Sequence, residues 1–429
     1  MKKTDTYKMA YLVSRFPKTT ETFILYEVLA LLKSDYRILV GSLLKPKKQI
    51  RHPGASTLAE LSIYVSIFNP MLWVNHLKYL FKSPSAYLGS FWVLLTHCWR
   101  SPRFLLKCIY FFGKAPLFAS RFQNAGIQHI HAHFATFPAI TAFIIHKLTG
   151  IPYSFTAHGS DIHVRKHRLM LYPVCENARF IRTISLFNRH FILAHTHLKF
   201  EPKVKVVHCG IDLRKFVPSE RKAVTADLHI VCVASFEEVK GHKYLLKACG
   251  LLKQKTERFR LHLIGDGPLK KAVRKQAWEL GLSNQITFYG ALNQKSVIAI
   301  LQQMHVKVLP SVPTARGDLE GIPVALMEAM AIGLPVVSTK QSGIPELVEH
   351  EVNGFLVEPR DVESLAAILH FLYQFPDIRW EMGLRGRKKV MEEFDLFKNI
   401  RELQKLFTIT LQAEQETPVH SARIPQSVN

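Results

Sequence analysis

Short apolar runs alternate with stretches of helical period along almost the whole chain, and this alternation limits the fold more than any other feature. In the first half Ala10–Val13, Tyr36–Leu43, His129–His133, Tyr153–Ala157 and Arg179–Ile184 read as strands. In the second half Leu228–Ala234, Arg260–Ile264, Ile286–Tyr289, Val306–Leu309, Pro335–Ser338 and Gly354–Val357 do the same. Between them, segments such as Lys243–Lys253 and Leu269–Leu280 carry apolar residues at a period of about 3.6. Parallel strands need a crossover, usually a helix, so this order builds parallel sheets with helices on both faces. The pattern occurs twice. An α/β fold of two doubly wound, Rossmann-like domains is therefore expected, with a ligand cleft beyond the carboxyl ends of the strands.

The polar stretch Pro218–Thr225 marks the expected boundary. It separates an N-terminal domain over 1–217 from a C-terminal one over 218–395. A closing helix and a disordered tail, polar from Gln412 onward, are expected over 396–429.

Charge narrows the choice of partner. The chain carries 57 Lys and Arg against 33 Asp and Glu, a net of +24, which favours an anionic partner. The excess is lopsided: residues 1–200 hold 26 basic and 7 acidic side chains, and no acid occurs between Glu60 and Asp161. Nucleic acid is not the expected partner, because no Cys/His finger, aromatic RNA-binding signature or basic heptad helix occurs. The cysteines form no CxxC pair and read as reduced thiols of a cytoplasmic protein. Met9–Val13 is too short for a secretory signal, which needs about 7–15 apolar residues. Ser83–Trp99, broken by Pro84, Gly89 and His97, falls short of the roughly 20 residues that span a bilayer.

Residues 61–122 interrupt the alternation. They read as helical, basic and rich in aromatics: Trp73, Tyr79, Phe81, Tyr87, Phe91, Trp92, Trp99, Phe104 and Tyr110–Phe112, with Lys78, Lys82, Arg100, Arg103, Lys107, Lys114 and Arg121 between them. Two readings stand. One is a helix pair lying peripherally on an anionic inner membrane face. The other is an inserted subdomain whose aromatics pack inward.

The strongest chemical signal is Glu320-Gly-Ile-Pro-Val-Ala-Leu-Met-Glu328, closed by Gly333-Leu-Pro335. Pro323 is expected at the first helical position, where its missing N–H costs nothing. Glu320 then sits in the loop before a helix, beside free amides at the positive end of the helix dipole. Such a start can hold a diphosphate while the carboxylate grips sugar hydroxyls. An amphipathic core helix with a capping acid explains the pattern equally. The run His129-x-His131-x-His133 places three imidazoles on one face of a strand, but no carboxylate or Cys accompanies them. A buried or cleft-lining strand is favoured over a metal site. Gly265-Asp-Gly267-Pro268 lacks the third glycine of a nicotinamide fingerprint and reads as a tight turn.

The spacing Glu320-x7-Glu328, with Gly333-Leu-Pro-Val-Val-Ser338 and Ser342-Gly-Ile-Pro-Glu346, resembles retaining glycosyltransferase family 4, of GT-B fold. Arg15-Phe-Pro-Lys-Thr-Thr-Glu-Thr-Phe23, Thr156-Ala-His-Gly-Ser-Asp161, His208-Cys-Gly-Ile-Asp212 and Val239-Lys-Gly241 point to its bacterial exopolysaccharide, capsule and colanic-acid-type members. The resemblance covers roughly residues 8–395. It implies transfer of a sugar from a nucleotide-sugar to a hydroxyl of a glycan or lipid-linked acceptor, with no metal or other cofactor. The C-terminal domain would then bind the donor and the N-terminal one the acceptor. Glu320 resembles the carboxylate on the donor sugar, Glu328 that on the ribose, and Lys240 the cation on the diphosphate, although a structural salt bridge is the alternative for this lysine. Gly321, Ile322 and Pro323 would line the sugar and phosphate with main chain, Gly290 would sit on the nucleotide side, and His158 would stand beside the reacting sugar. The family often has Gly-Arg-Leu before the lysine. Here Ala234-Ser235-Phe236 replaces it, so Ser235 brings no charge, and Arg316 is a candidate substitute. That departure also motivates the alternative reading, a catalytically inactive homologue acting as a scaffold or partner subunit.

Overall fold

A computed structural model describes residues 7–17, 21–34, 36–46, 61–196, 198–218 and 226–416. It contains two fully parallel sheets. The first joins β1 (Tyr7–Arg15), β2 (Tyr36–Leu44), β3 (Ser62–Tyr64), β4 (His129–His133), β5 (Tyr153–Ala157), β6 (Ile181–Thr183) and β7 (Val204–Val206) in the order β3-β2-β1-β4-β5-β6-β7. The second joins β8 (Leu228–Val233), β9 (Phe259–Ile264), β10 (Ile286–Gly290), β11 (Val306–Leu309), β12 (Val336–Thr339) and β13 (Gly354–Val357) in the order β10-β9-β8-β11-β12-β13. In each sheet the order reverses once, between β1 and β4 and between β8 and β11. The α/β architecture expected from the alternation is present in both halves. The three-residue strands β3 and β7 carry too short an apolar signal to be seen in sequence.

Both faces of the first sheet are covered, as a parallel sheet requires. On one face the helices Ala115–Asn124 and Phe137–Thr149 enclose a core that includes Phe118, Phe122, Phe143 and Phe155. On the other lie the helices Thr22–Leu31 and Leu396–Glu416. The second of these is the last described helix of the chain. It returns to pack Leu396, Ile400, Leu403, Phe407 and Leu411 against Tyr11, Val13, Ile38 and Phe180. The spacing of three and four residues lines these side chains along one stripe. Tyr36 Oη donates to the carbonyl of Gln404 at 3.3 Å. The tail expected to be disordered from Gln412 is helical as far as Glu416; residues 417–429, like 219–225 of the expected linker, lie outside the described residues.

The segment 61–122 is not helical throughout, nor a helix pair. It begins with the edge strand β3, which extends the sheet beside β2, and continues as Met71–Lys82, Pro84–Cys98, Pro102–Phe112 and the start of Ala115–Asn124. Its aromatics divide. Tyr79, Phe104, Phe111 and Phe112 are buried, whereas Phe68 is 88% exposed, Phe81 80% and Trp73 74%, with Trp92 and Trp99 also in solvent. Lys114 belongs to the interior, donating to the Leu43 carbonyl at 2.7 Å. Lys78, Lys82, Arg100, Arg103 and Lys107 are exposed. Among the described residues no helix is long and apolar enough to cross a membrane.

The two halves are latched by Glu346, on the short helix Ile344–Leu347. Its carboxylate accepts the Leu186 N–H at 2.8 Å and the Phe187 N–H at 3.0 Å, at the start of the helix Leu186–Thr196, and lies 3.3 Å from His208 Nε2. These amides are the orphans of a helix N-terminus, so the acid acts as a cap supplied by the other half. Burial pushes this carboxyl up, but His208 and the two amides outweigh it and hold it below its ordinary value. The contact therefore stabilises fully above the ordinary value of 4.5 and fades as pH falls through the lower folded-state value. Glu346→Ala should cost about 1–2 kcal/mol at neutral pH. Calorimetry should show the gap from wild type narrowing as the pH is taken down from 4.5.

Candidate functional site

In doubly wound sheets a crevice opens where the strand order reverses, outside the carboxyl ends. In the second sheet that point lies between β8 and β11. Lys240 ends the turn Glu238–Lys240 that follows β8, and Glu320 lies late in the loop that follows β11. Their side chains meet there, with Lys240 Nζ 2.5 Å from Glu320 Oε2. The pair borders an open cleft of about 700 Å³ that is also lined by Glu237, Pro268, Arg316, Asp318 and, from the first half, Ser160.

Local backbone chemistry places both side chains. Gly241 ends the Lys240 turn at φ +70°, and a Cβ there would lie 1.8 Å from the Pro310 carbonyl oxygen. Only glycine lets the two loops approach this closely. On the other side, Gly321 backs onto the first half: a Cβ there would lie 3.1 Å from the His158 carbonyl oxygen. The end of β5 and the Glu320 loop thus touch across the two halves.

The helix after Glu320 starts one residue later than expected. It spans Val324–Ala331, and Pro323 is its cap, with ψ 120°. The Leu326 and Met327 N–H groups both turn back to the Pro323 carbonyl, at 3.0 and 3.4 Å. The free amides expected beside Glu320 are accordingly few: Pro323 has no N–H, and those of Val324 and Ala325 remain at the helix start. Ile322 and Pro323 are themselves buried.

The other expected site residues are distributed around this centre. Ser235 donates its hydroxyl to Glu237 Oε2 at 3.0 Å. Arg316 lines the cleft, where Ser235 does not. Gly290, at φ +73°, ends β10, and its carbonyl accepts the Gly265 N–H at 2.8 Å; it does not line the cleft. The loop Gly265–Pro268 packs against Phe236, whose N–H donates to the Asp266 carbonyl at 3.1 Å. Glu328 lies in a narrow cavity with Phe23, Tyr26, Gly210, Lys215 and Gln294. It accepts from Gln294 Nε2 at 3.0 Å, and Tyr26 Oη in turn donates to Gln294 Oε1 at 3.3 Å. Burial pushes the Glu328 carboxyl up, against the pull of Gln294, Lys307 and Lys215.

Two features escape a linear reading. Lys307, inside an apolar strand, is fully buried, donates to the Val233 carbonyl at 3.2 Å, and is lowered by burial to about 8. A lysine amid Val306, Val308 and Leu309 was the available signal. The second feature corrects the reading of the His129–His133 strand. All three imidazoles are buried, but a carboxylate does accompany them: Glu27, from the helix Thr22–Leu31, which packs on this face. Ligand atoms of Glu27, His131 and His133 lie within 4.8 Å of one another. They are already engaged by protein. Both nitrogens of His131 bond Ser154 and Thr156, at 2.8 and 2.9 Å, and Glu27 pairs with Arg182 at 2.5 Å. Burial raises the Glu27 carboxyl, but Arg182 and His133 outweigh it and hold it well below the carboxylate range.

Comparison with known proteins gives this geometry a family. Residues 215–389 match the family model described as glycosyl transferases group 1. A putative colanic acid biosynthesis glycosyltransferase of Salmonella typhimurium is 30% identical over 414 residues, covering 93% of this chain and 99% of the relative. The chain belongs to the group 1 glycosyltransferases. The amylovoran biosynthesis glycosyltransferase AmsK of Erwinia amylovora is 35% identical over 58% of the chain, which spans 62% of that relative's length. The chain spans 50% of a 40% identical Escherichia coli relative. Among solved structures, Anabaena HepE in complex with UDP superposes with a TM-score of 0.71 at 18% identity, over 94% of this chain and 100% of that one. A sucrose-phosphate synthase of Thermosynechococcus elongatus gives 0.72 at 16%, over 95% and 100%. At such identity these two speak to the fold, which is the two-domain GT-B arrangement expected from the motifs. In this glycosyltransferase the Lys240 turn depends on Gly241, so Gly241→Ala should lower stability by about 2 kcal/mol or more. Denaturant unfolding checks this against Gly89→Ala, where a Cβ would meet nothing within 4 Å.

Proposed function

We infer that this enzyme transfers a sugar from a nucleoside-diphosphate donor to a hydroxyl of a glycan or lipid-linked acceptor in exopolysaccharide synthesis, retaining the anomeric configuration. The observation that carries this reading is the Lys240–Glu320 pair at the β8/β11 reversal, facing Ser160 and the end of β5. Donor binding replaces that pair: Lys240 turns to the diphosphate and Glu320 to hydroxyls of the sugar. The amides at 324–325 and the main chain of Gly321–Pro323 lie along the phosphate and sugar. As the bond from anomeric carbon to phosphate oxygen breaks, charge grows on that oxygen, and the fixed ammonium stabilises it. The acceptor oxygen attacks from the same face, and its proton passes to the departing phosphate oxygen. No covalent sugar on a carboxylate is invoked, unlike the paired carboxylates of retaining glycosidases. In this reading Lys240, with Arg316 in the cleft, meets the phosphate charge in place of a metal ion. Glu328 takes the ribose once the Tyr26–Gln294 contact gives way, and Gly290 lies on the nucleotide side with Ser235 near the phosphates. His158 stands beside the reacting sugar. The relatives named for colanic acid and amylovoran biosynthesis support an exopolysaccharide product, and HepE, solved with UDP-glucose, supports a nucleotide-sugar donor. The rival reading, an inactive homologue, rests on Ser235 alone. With a donor chosen by thermal shift across UDP- and GDP-sugars, Glu320→Ala and Lys240→Ala should each lower turnover by about a hundredfold or more. Circular dichroism should stay unchanged; wild-type turnover in either variant overturns the assignment.

The N-terminal half supplies the acceptor side and docks peripherally on an anionic membrane face at the inner, cytoplasmic surface. Phe68, Trp73, Phe81, Trp92 and Trp99 stand in solvent among Lys78, Lys82, Arg100, Arg103 and Lys107, with no acid in the segment, so this surface complements anionic headgroups. Each such cation contributes about 1 kcal/mol near an anionic surface. The protein should sediment with anionic but not neutral vesicles, and less so in salt. Reversing Lys82 and Arg103 to Glu should reduce recovery about tenfold or more; unchanged recovery removes the docking surface.

A further inference from the structure

His158 is held as a ring before anything binds. The Phe23 and Phe134 centroids lie 4.8 and 4.6 Å from its own, and the His133 ring stacks on it at 5.3 Å and 25°. Its Nε2 lies 3.1 Å from His133 Nδ1, and His133 Nε2 lies 3.2 Å from Glu27 Oε1. Glu27 also accepts from Tyr11 Oη at 2.8 Å and from Arg182 at 2.5 Å.

The proton positions follow from donor and acceptor chemistry. Beside Arg182, Glu27 is ionised and can only accept. His133 must therefore donate its Nε2–H. A doubly protonated His133 would set a second cation beside Arg182 against one carboxylate in a fully buried site, which is costly. His133 is thus neutral, and its Nδ1 is an acceptor. The partner of that lone pair is His158, which must carry its proton on Nε2. His158 Nδ1 then keeps a lone pair that no hydrogen bond among the described residues uses.

We propose that Glu27 and His133 are positioning residues that fix His158 as the Nε2–H tautomer, so that its Nδ1 accepts a hydrogen bond from a hydroxyl of the bound sugar. This rests on the reading that His158 stands beside the reacting sugar. It adds a restriction: the group at Nδ1 must donate, so it is a hydroxyl and not a phosphate or carbonyl oxygen. A substrate hydroxyl is oriented by this contact at the moment of transfer, and the relay behind it reaches neither donor nor acceptor.

The test uses the full chain with 15N-labelled histidine. Long-range proton–nitrogen spectra at neutral pH, with His158 assigned through His158→Gln, read the tautomer directly. Wild type should show a proton on Nε2 and none on Nδ1. His133→Phe should lose this single tautomer, with kcat down about tenfold and the donor KM within about twofold. His133→Asn keeps an oxygen acceptor near the Nδ1 position and should restore both tautomer and most of kcat. An Nδ1–H or doubly protonated His158 in wild type overturns the proposal, even if no variant folds. So does an unchanged tautomer or kcat in His133→Phe, or an Asn variant as impaired as the Phe one. Full turnover in His158→Ala alongside the expected spectra would instead overturn the underlying placement of His158, so the two failures are told apart.

Discussion

Everything at the site depends on strand direction. In both sheets every strand runs parallel to its neighbours, so all carboxyl ends, and the loops that follow them, collect at one edge. One reversal of order in each sheet opens a gap in that edge, because the connections on either side wind away to opposite faces. Lys240 and Glu320 flank the gap in the second sheet, and His133 ends one of its flanking strands in the first. Three groups separated by up to 187 positions in sequence, His133, Lys240 and Glu320, come to neighbouring edges without any local motif joining them.

The positive charge of the first half does two unrelated jobs. Some of it is structural and inside: Arg182 is matched by Glu27, and Lys114 is spent on a backbone carbonyl. Another part, Lys78, Lys82, Arg100, Arg103 and Lys107, is exposed in the segment that also leaves aromatics in solvent, where no acid of the same segment can neutralise it. The cleft beside Lys240 and Glu320 is a mixed field by contrast, with Glu237, Glu238 and Asp318 beside Lys240 and Arg316. Net charge alone therefore says little about the cleft and much about the outer surface.

Legibility followed the range of the interactions. The sheets could be read because a doubly buried parallel strand must be an apolar run, and Gly333 and Pro335 punctuate the helix after Glu320 in the expected place. Pro323 misled by one position, since Pro is acceptable both as a cap and as the first helical residue, and only the backbone angle decides. The fate of Ser235 could not be read either, because its partner Glu237 is a local competitor for the hydroxyl. Glu27 was the largest omission. It lies 106 residues from His133, and only the packing of one helix across the sheet makes them neighbours. The aromatic segment gave two readings because both are true of different side chains: helical period places Tyr79 inward and Trp73 and Phe81 outward, and composition does not distinguish them.

The return of Leu396–Glu416 to the first sheet has a consequence for how the chain is made. When a ribosome has completed the N-terminal half, the face bearing Tyr11, Ile38 and Phe180 still lacks the helix that covers it. At about 5–20 residues per second, that helix emerges some ten seconds or more later. During synthesis the nascent first half is an unfinished domain with an open apolar face, the kind of surface that chaperones hold. The order of translation, and not only the final packing, thus ties the maturation of one half to the completion of the other.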